Sequence, residues 1–326
     1  MLYSSKPAPA APRNPIAKYP AACQRPAHRL SVVCFLLLLQ FAALTLFASA
    51  DTGPKPVKAE KVAPAPSSLS SEEAQSLVQR VLHTELEATE SLNKSLTHPM
   101  QYRIRKASPR LVTTKLIVET KDGDVARLVA VNDAPLDPEA QLKENARLQS
   151  LLDDPSLQHH RQEREQGDTE RVRKIIRALP EAFSYQYAGI MQTQQGPSYR
   201  FTFTPNPRFD PQDLESQVLK AMAGELWIDV AQQRVTRLDC KRLKDVDYGF
   251  GILGKLDQGG TLLLQQAEVG NHQWRTVHMA LVMNARFLFK IIKLDTTLEL
   301  SDFTPVTTDL NYQQAIQVLK QADLAR

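Results

Sequence analysis

The sequence predicts an α+β fold: a large, strongly curved, mostly antiparallel sheet of about ten strands, a half-barrel with helices on its concave face. Two observations predict it. Strand-like alternation dominates residues 100–132 and 182–302. Helical periodicity comes in sequence clusters rather than after every strand, which excludes a doubly wound parallel sheet. Sheets of this size curl or close.

The N-terminal part stands outside that domain. Residues 1–29 form a basic, Pro/Ala-rich stretch, and 51–68 read as a linker of Pro, Lys and Ala. Ten of the 21 prolines fall in 1–66, so these pieces are expected to be extended and unpacked. Between them, Leu30 to Ala50 is apolar, follows basic residues and ends on Ala48-Ser49-Ala50. That is the pattern of a secretory signal peptide cleaved before Asp51. The run is also long enough for a signal-anchor in the inner membrane. Positive charge before it keeps the N-terminus cytoplasmic on either reading, so the body is expected in the periplasm or cell envelope. Lys6, Arg13, Lys18, Arg25 and Arg29 all lie in the leader. Removing those five leaves 35 basic groups against 36 acidic ones, a nearly neutral body with no electrostatic case for nucleic acid.

The curved-sheet domain is expected over 69–304. It opens on a helix from about Ser71, where Ser70 and Glu73 make a capping box and Leu77, Val78, Val81, Leu82 and Leu86 make an apolar stripe. MQYRIRKAS reads as a strand, and LVTTKLIVET and DVARLVAVN flank the hairpin signal Lys121-Asp122-Gly123. Residues 134–180 read as a helical insertion. Asp137-Pro138 and Asp154-Pro155 each pair an N-cap with proline at the first helical position. Gly167 is expected to break the segment, Asp168 to cap again and Pro180 to stop it. Val172, Ile175, Ile176 and Leu179 give the last helix one apolar face.

AFSYQYAGIMQ and PSYRFTFTP carry aromatics on alternate positions, the mark of one sheet face. Asp210-Pro211 is expected to start a helix ending at Gly224. From Glu225 to about Asp302 five strands follow, with turns at Asn271 and Asn284-Ala285-Arg286. Residues 305–326 hold a short helix, YQQAIQVLKQ, and a tail.

The stretch GELWIDVAQQRVTRL resembles a hairpin of the LolA/LolB-like outer-membrane lipoprotein-sorting superfamily, through Gly224, Leu226, Trp227, Ile228, Asp229, the turn Ala231–Gln233, Val235 and Arg237. The order of elements over about 70–304 is similar too. The resemblance implies an apolar cavity between sheet and helices that takes acyl chains of a lipid or lipoprotein. The chain departs from that family in its charged insertion, and it has no lipobox, since Cys34 lies inside the apolar run.

GFGILGK (249–255) has both glycine spacings of nucleotide sites, but Leu256 stands where a P-loop needs Ser or Thr and no helix start follows. Its glycines read as backbone freedom, with Phe250, Ile252 and Leu253 on a loop that forms a lid. His159-His160 with Glu163 lacks the zinc-protease order and sits in a charged stretch. His272 and His278 are about 20 Å apart at about 3.3 Å per residue, too far for one metal. Asp245 and Asp247 suit a solvated turn better than a cation site. Cys240 reads as a strand residue.

The expected ligand-binding residues are Tyr185, Tyr187, Phe201, Phe203, Met279, Leu281 and Phe289, beside Leu262, Leu264, Met283 and Ile291 on the same apolar faces. They can line a cavity or pack a dry core. The leading expectation is a non-enzymatic, exported envelope protein that binds acyl chains, with no catalytic residues, no metal and no cofactor. The alternatives are an interaction, scaffold or sensor module of the same fold whose partner meets 134–180, and an envelope hydrolase.

Overall fold

A capping box opens the first helix of the computed structural model. In α1 (Ser71–Lys94) Glu73 N donates to Ser70 Oγ at 3.2 Å and Ser70 N donates to Glu73 Oε2 at 2.8 Å. The structure describes residues 68–94, 98–248, 254–270, 272–287, 290–306 and 310–321. All of them fall in one compact unit of the chain, 32–326.

β1 (Met100–Ser108), β2 (Leu111–Val118), β3 (Val125–Val131) and β4 (Ala134–Pro135) form an antiparallel meander. Gly123 turns the β2–β3 hairpin at φ +90°, a region only glycine enters freely. α2 (Pro138–Asp153) and α3 (Pro155–Ala182) start on the expected caps. Asp137 accepts from Ala140 N, and Asp154 accepts from Ser156 N. β5 (Phe183–Thr193) and β6 (Gly196–Pro205) pair, then α4 (Leu214–Leu219) leads into β7 (Met222–Asp229) and β8 (Val235–Arg242). β9 (Val246–Tyr248), β10 (Gly254–Leu256), β11 (Thr261–Glu268), β12 (Trp274–Phe287) and β13 (Lys290–Pro305) complete the sheet, and α5 (Tyr312–Gln321) follows.

The 13 strands run in the order β4-β3-β2-β1-β13-β12-β11-β8-β7-β6-β5, with β10 on the far half of β12 and β9 beside it. Every pairing is antiparallel and the ends do not meet, so the sheet is open. Five pairings carry a register shift, each of which bends its strand and adds twist. α1, α4 and the C-terminal half of α3 cover the face that carries Tyr185, Phe203 and Leu226. α2 and α5 pack on the opposite face of β2–β3. There Leu116 and Val118 meet Leu148, Ile316 and Leu319, while Ile117 points the other way to Tyr102 and Leu298.

Four boundaries differ from the expectation. Gly167 and Asp168 lie inside one unbroken α3, and Pro180 sits in its last turn. A Cβ at Gly167 would meet nothing within 4 Å, so nothing there forces a break. Asp213, not Asp210, caps α4, because Ser216 N and Oγ both reach its carboxylate, at 2.8 and 2.7 Å. Gly224 belongs to β7 and is needed for close approach, since a Cβ there would lie 2.0 Å from Asp239 O. Asn284–Arg286 is no turn: Ala285 pairs with Leu256 on one side and Ile292 on the other, which extends β12 to Phe287. The turn expected at Asn271 closes through Gln273 N to Gly270 O at 3.0 Å, and Asn271 itself lies outside the described residues.

Candidate functional site: an apolar cavity between sheet and helices

Between α1, α3 and α4 and the sheet lies a cavity of about 220 Å³. The amphipathic stripe of α3, Val172, Ile175, Ile176 and Leu179, forms much of its roof. Leu82 of α1 and Val218 and Leu219 of α4 complete that side. The floor comes from alternate positions of neighbouring strands. Tyr185 pairs with Phe203, Leu226 with Leu238, Leu238 with Leu264, and Leu262 with both Cys240 and Leu281. The period of two thus delivers one apolar face from six strands. Leu238, Leu262, Leu264, Ile175 and Ile176 stay only half-buried, whereas a filled core would bury them.

The helices are pinned over this space by polar contacts. Gln75 Nε2 of α1 donates to Pro180 O of α3 at 2.8 Å. Lys174 of α3 meets Asp213 at 2.7 Å, ahead of α4. Burial pushes the Asp213 carboxyl up, but hydrogen bonds from Lys174 and Ser216 outweigh it and hold the pKa at about 2. Farther along α3, Gln158 Nε2 donates to Asp122 O at 2.9 Å and Arg161 Nη2 to Asp124 O at 2.6 Å. The charged part of the helix is therefore tied to the β2–β3 hairpin.

Polar side chains enter the lining at two ends. Glu85 accepts from Arg234 and from Val235 N. Gln266 and Thr276 lie beside Val235 in the same lining. At the other end Arg242 donates from Nε to Asp257 O at 2.7 Å, in space that Gly260 leaves open.

Of the expected ligand-binding residues, Tyr185, Phe203 and Leu281 line the cavity, as do Leu262, Leu264 and Met283. The others are placed elsewhere. Tyr187 and Phe201 pack against each other with ring centroids 5.8 Å apart, inside the neighbouring core cluster. Met279 is buried against Met100, Tyr102 and Leu298. Ile291 points outward at 65% exposed. Phe289 and the lid residues Phe250, Ile252 and Leu253 lie outside the described residues. Sequence reasoning missed Glu85, Leu238, Gln266 and Thr276 as lining. The alternation Leu262, Leu264, Gln266 was the available signal.

The remaining candidate chemistry resolves into ordinary pairs. Lys255, the lysine of GFGILGK, meets Asp245 at 2.5 Å, which holds the Asp245 carboxyl below its usual range. His159 and His160 both face Glu163 on the exposed side of α3, at 3.3 and 3.1 Å, and His272 faces Glu268 at 3.1 Å. Burial, with Asp239 adding to it, pushes the Cys240 thiol up to about 12, so it stays protonated in the cavity wall.

No family model matches the chain, and no curated protein matches it in sequence. Among solved structures, the chain is similar to a Vibrio parahaemolyticus domain described as an outer membrane lipoprotein-sorting protein domain. The identity is 12%, the match covers 77% of this chain and 100% of that one, and the TM-score is 0.30. It is also similar to a DUF1329 family protein from Desulfovibrio piger, at 9% identity over 72% of this chain and 92% of that one, with a TM-score of 0.24. Both are resemblances at the level of the fold, with low TM-scores.

Proposed function

We propose that this chain is an exported, non-enzymatic protein of the cell envelope that binds the acyl chain of a lipid or lipoprotein in the cavity beneath α3. The single observation that carries the reading is the apolar lining that the protein's own side chains leave half-buried. An acyl chain covering it would gain about 0.8 kcal/mol for each CH₂ buried. Tyr185, Phe203 and Leu281 are then contact residues, and Tyr187, Phe201 and Met279 pack beside them on the same sheet face. Export rests on the apolar run 30–50 and its Ala-Ser-Ala end.

Leu256 of β10 packs in the cluster that holds Leu281 and Met283 of the lining. The test is displacement of a fluorescent fatty acid from the purified body, 69–326. Saturable binding that weakens in a Leu264→Trp variant is expected. Absence of saturable binding to the intact protein would end the reading.

The ties of Gln158, Arg161 and Glu165 to the β2–β3 hairpin favour a structural role for the charged segment over a partner surface.

A further inference from the structure

The wall of the cavity holds a buried polar atom that the protein leaves without a partner. Gln266 lines the cavity and is 3% exposed, and its Oε1 is buried with no hydrogen bond. An orphaned buried acceptor destabilises a fold unless something bonds it. The register shows that its position is built. β11 and β12 slip between Gln265 and Gln266, so that Gln266 stands opposite Thr276 instead of Val277. A bulge of this kind re-aims a side chain. Here it brings Thr276, 4% exposed, to the cavity face beside Gln266. Glu85 cannot serve Gln266, because a carboxylate paired with Arg234 only accepts and has no proton to give to Oε1.

We infer that Gln266 receives a hydrogen-bond donor carried on the ligand, so that the cavity selects an acyl or alkyl chain bearing a hydroxyl or amide group and seats that group inward, against β11. This rests on the acyl-binding reading and names its ligand class. Pure hydrocarbon and ester chains leave Gln266 unpartnered on closing the cavity and bind less well. A hydroxyl or an amide N–H completes it while the chain lies along Leu264 and Leu262 toward Arg242.

The experiment displaces a fluorescent acyl probe from the purified protein with three ligands of equal chain length: dodecanol, lauramide and methyl laurate. Dodecanol or lauramide is expected to displace the probe about tenfold more effectively than methyl laurate, and the better of the two identifies the donor as hydroxyl or amide. In Gln266→Leu the three should converge toward the methyl laurate value. Equal displacement by all three in the unaltered protein overturns the inference, with a bound water as the partner of Gln266, and leaves acyl binding standing. That comparison does not depend on the variant folding. Failure of the probe to bind overturns both.

Discussion

Arg234 grips Glu85 in a two-pronged ion pair, Nε to Oε1 at 2.8 Å and Nη2 to Oε2 at 3.0 Å, with the two side chains only 5% and 3% exposed. Glu85 Oε1 also accepts from Val235 N at 3.0 Å, and the guanidinium lies over the Trp274 ring. One carboxylate thereby fastens α1 to the β7–β8 hairpin at the edge of the cavity. Removing one partner strands a buried charge. Glu85→Met and Arg234→Met should each lose about 3–5 kcal/mol in urea denaturation, and the double variant should lose less than their sum. Additive losses would mean that the pair is not coupled.

Filling the cavity should separate binding from folding. Leu264→Trp puts an indole into the space under α3. Acyl-probe affinity should fall at least tenfold, while stability changes by no more than about 1–3 kcal/mol. Leu142→Ser, at a position 69% exposed on α2, is the control and should alter neither.

Two glycines should respond in opposite directions. At Gly224 a methyl group would stand 2.0 Å from Asp239 O and 2.6 Å from Cys240 Cα, both backbone atoms that cannot swing away. Gly224→Ala should therefore cost about 3 kcal/mol or more and loosen the β7–β8 pair. At Gly167, inside α3, the methyl meets open space, so Gly167→Ala should stabilise by about 0.5–1 kcal/mol. Thermal melts of the two variants check both signs.

Acidity should favour the β2–β3 end. Burial pushes the Asp124 carboxyl well above its usual range, and Glu165 and Glu119 add to this against Arg161 and Arg275. Folding then takes up a proton at this site. Its contribution is fully present below the unfolded carboxylate range, near about pH 4, and is lost as pH rises through the raised value. Asp124→Asn should gain on the unaltered protein as pH goes from about 5 to 8, and a gap independent of pH would contradict this. Asp213 works in the other sense. Its depressed pKa gives stability above the unfolded value that disappears as pH falls toward about 2.

Local signals carried much of this fold. The Ser70–Glu73 box, the Asp137 and Asp154 caps and the YQQAIQVLKQ helix all form as their residues require. The errors came where tertiary partners override a local preference. Gly167 reads as a breaker, yet α3 runs through it, anchored to the hairpin on one side and to α1 on the other. Asn284–Arg286 reads as a turn, yet it has ladder partners on both flanks. The site was half legible. Alternation placed Tyr185, Phe203 and Leu281 on the cavity face, but one sheet face supplies both the lining and the dry core beside it. The helices laid over that face separate them, and the position of α3 depends on contacts such as Lys174–Asp213 that no spacing in the sequence announces.

Native mass spectrometry of the protein purified from its native host tests acyl binding most directly. The account predicts a population heavier than the polypeptide by one discrete lipid mass, reduced or absent in Leu264→Trp. A spectrum of bare polypeptide alone, from protein that also fails to bind fluorescent acyl probes, would contradict it.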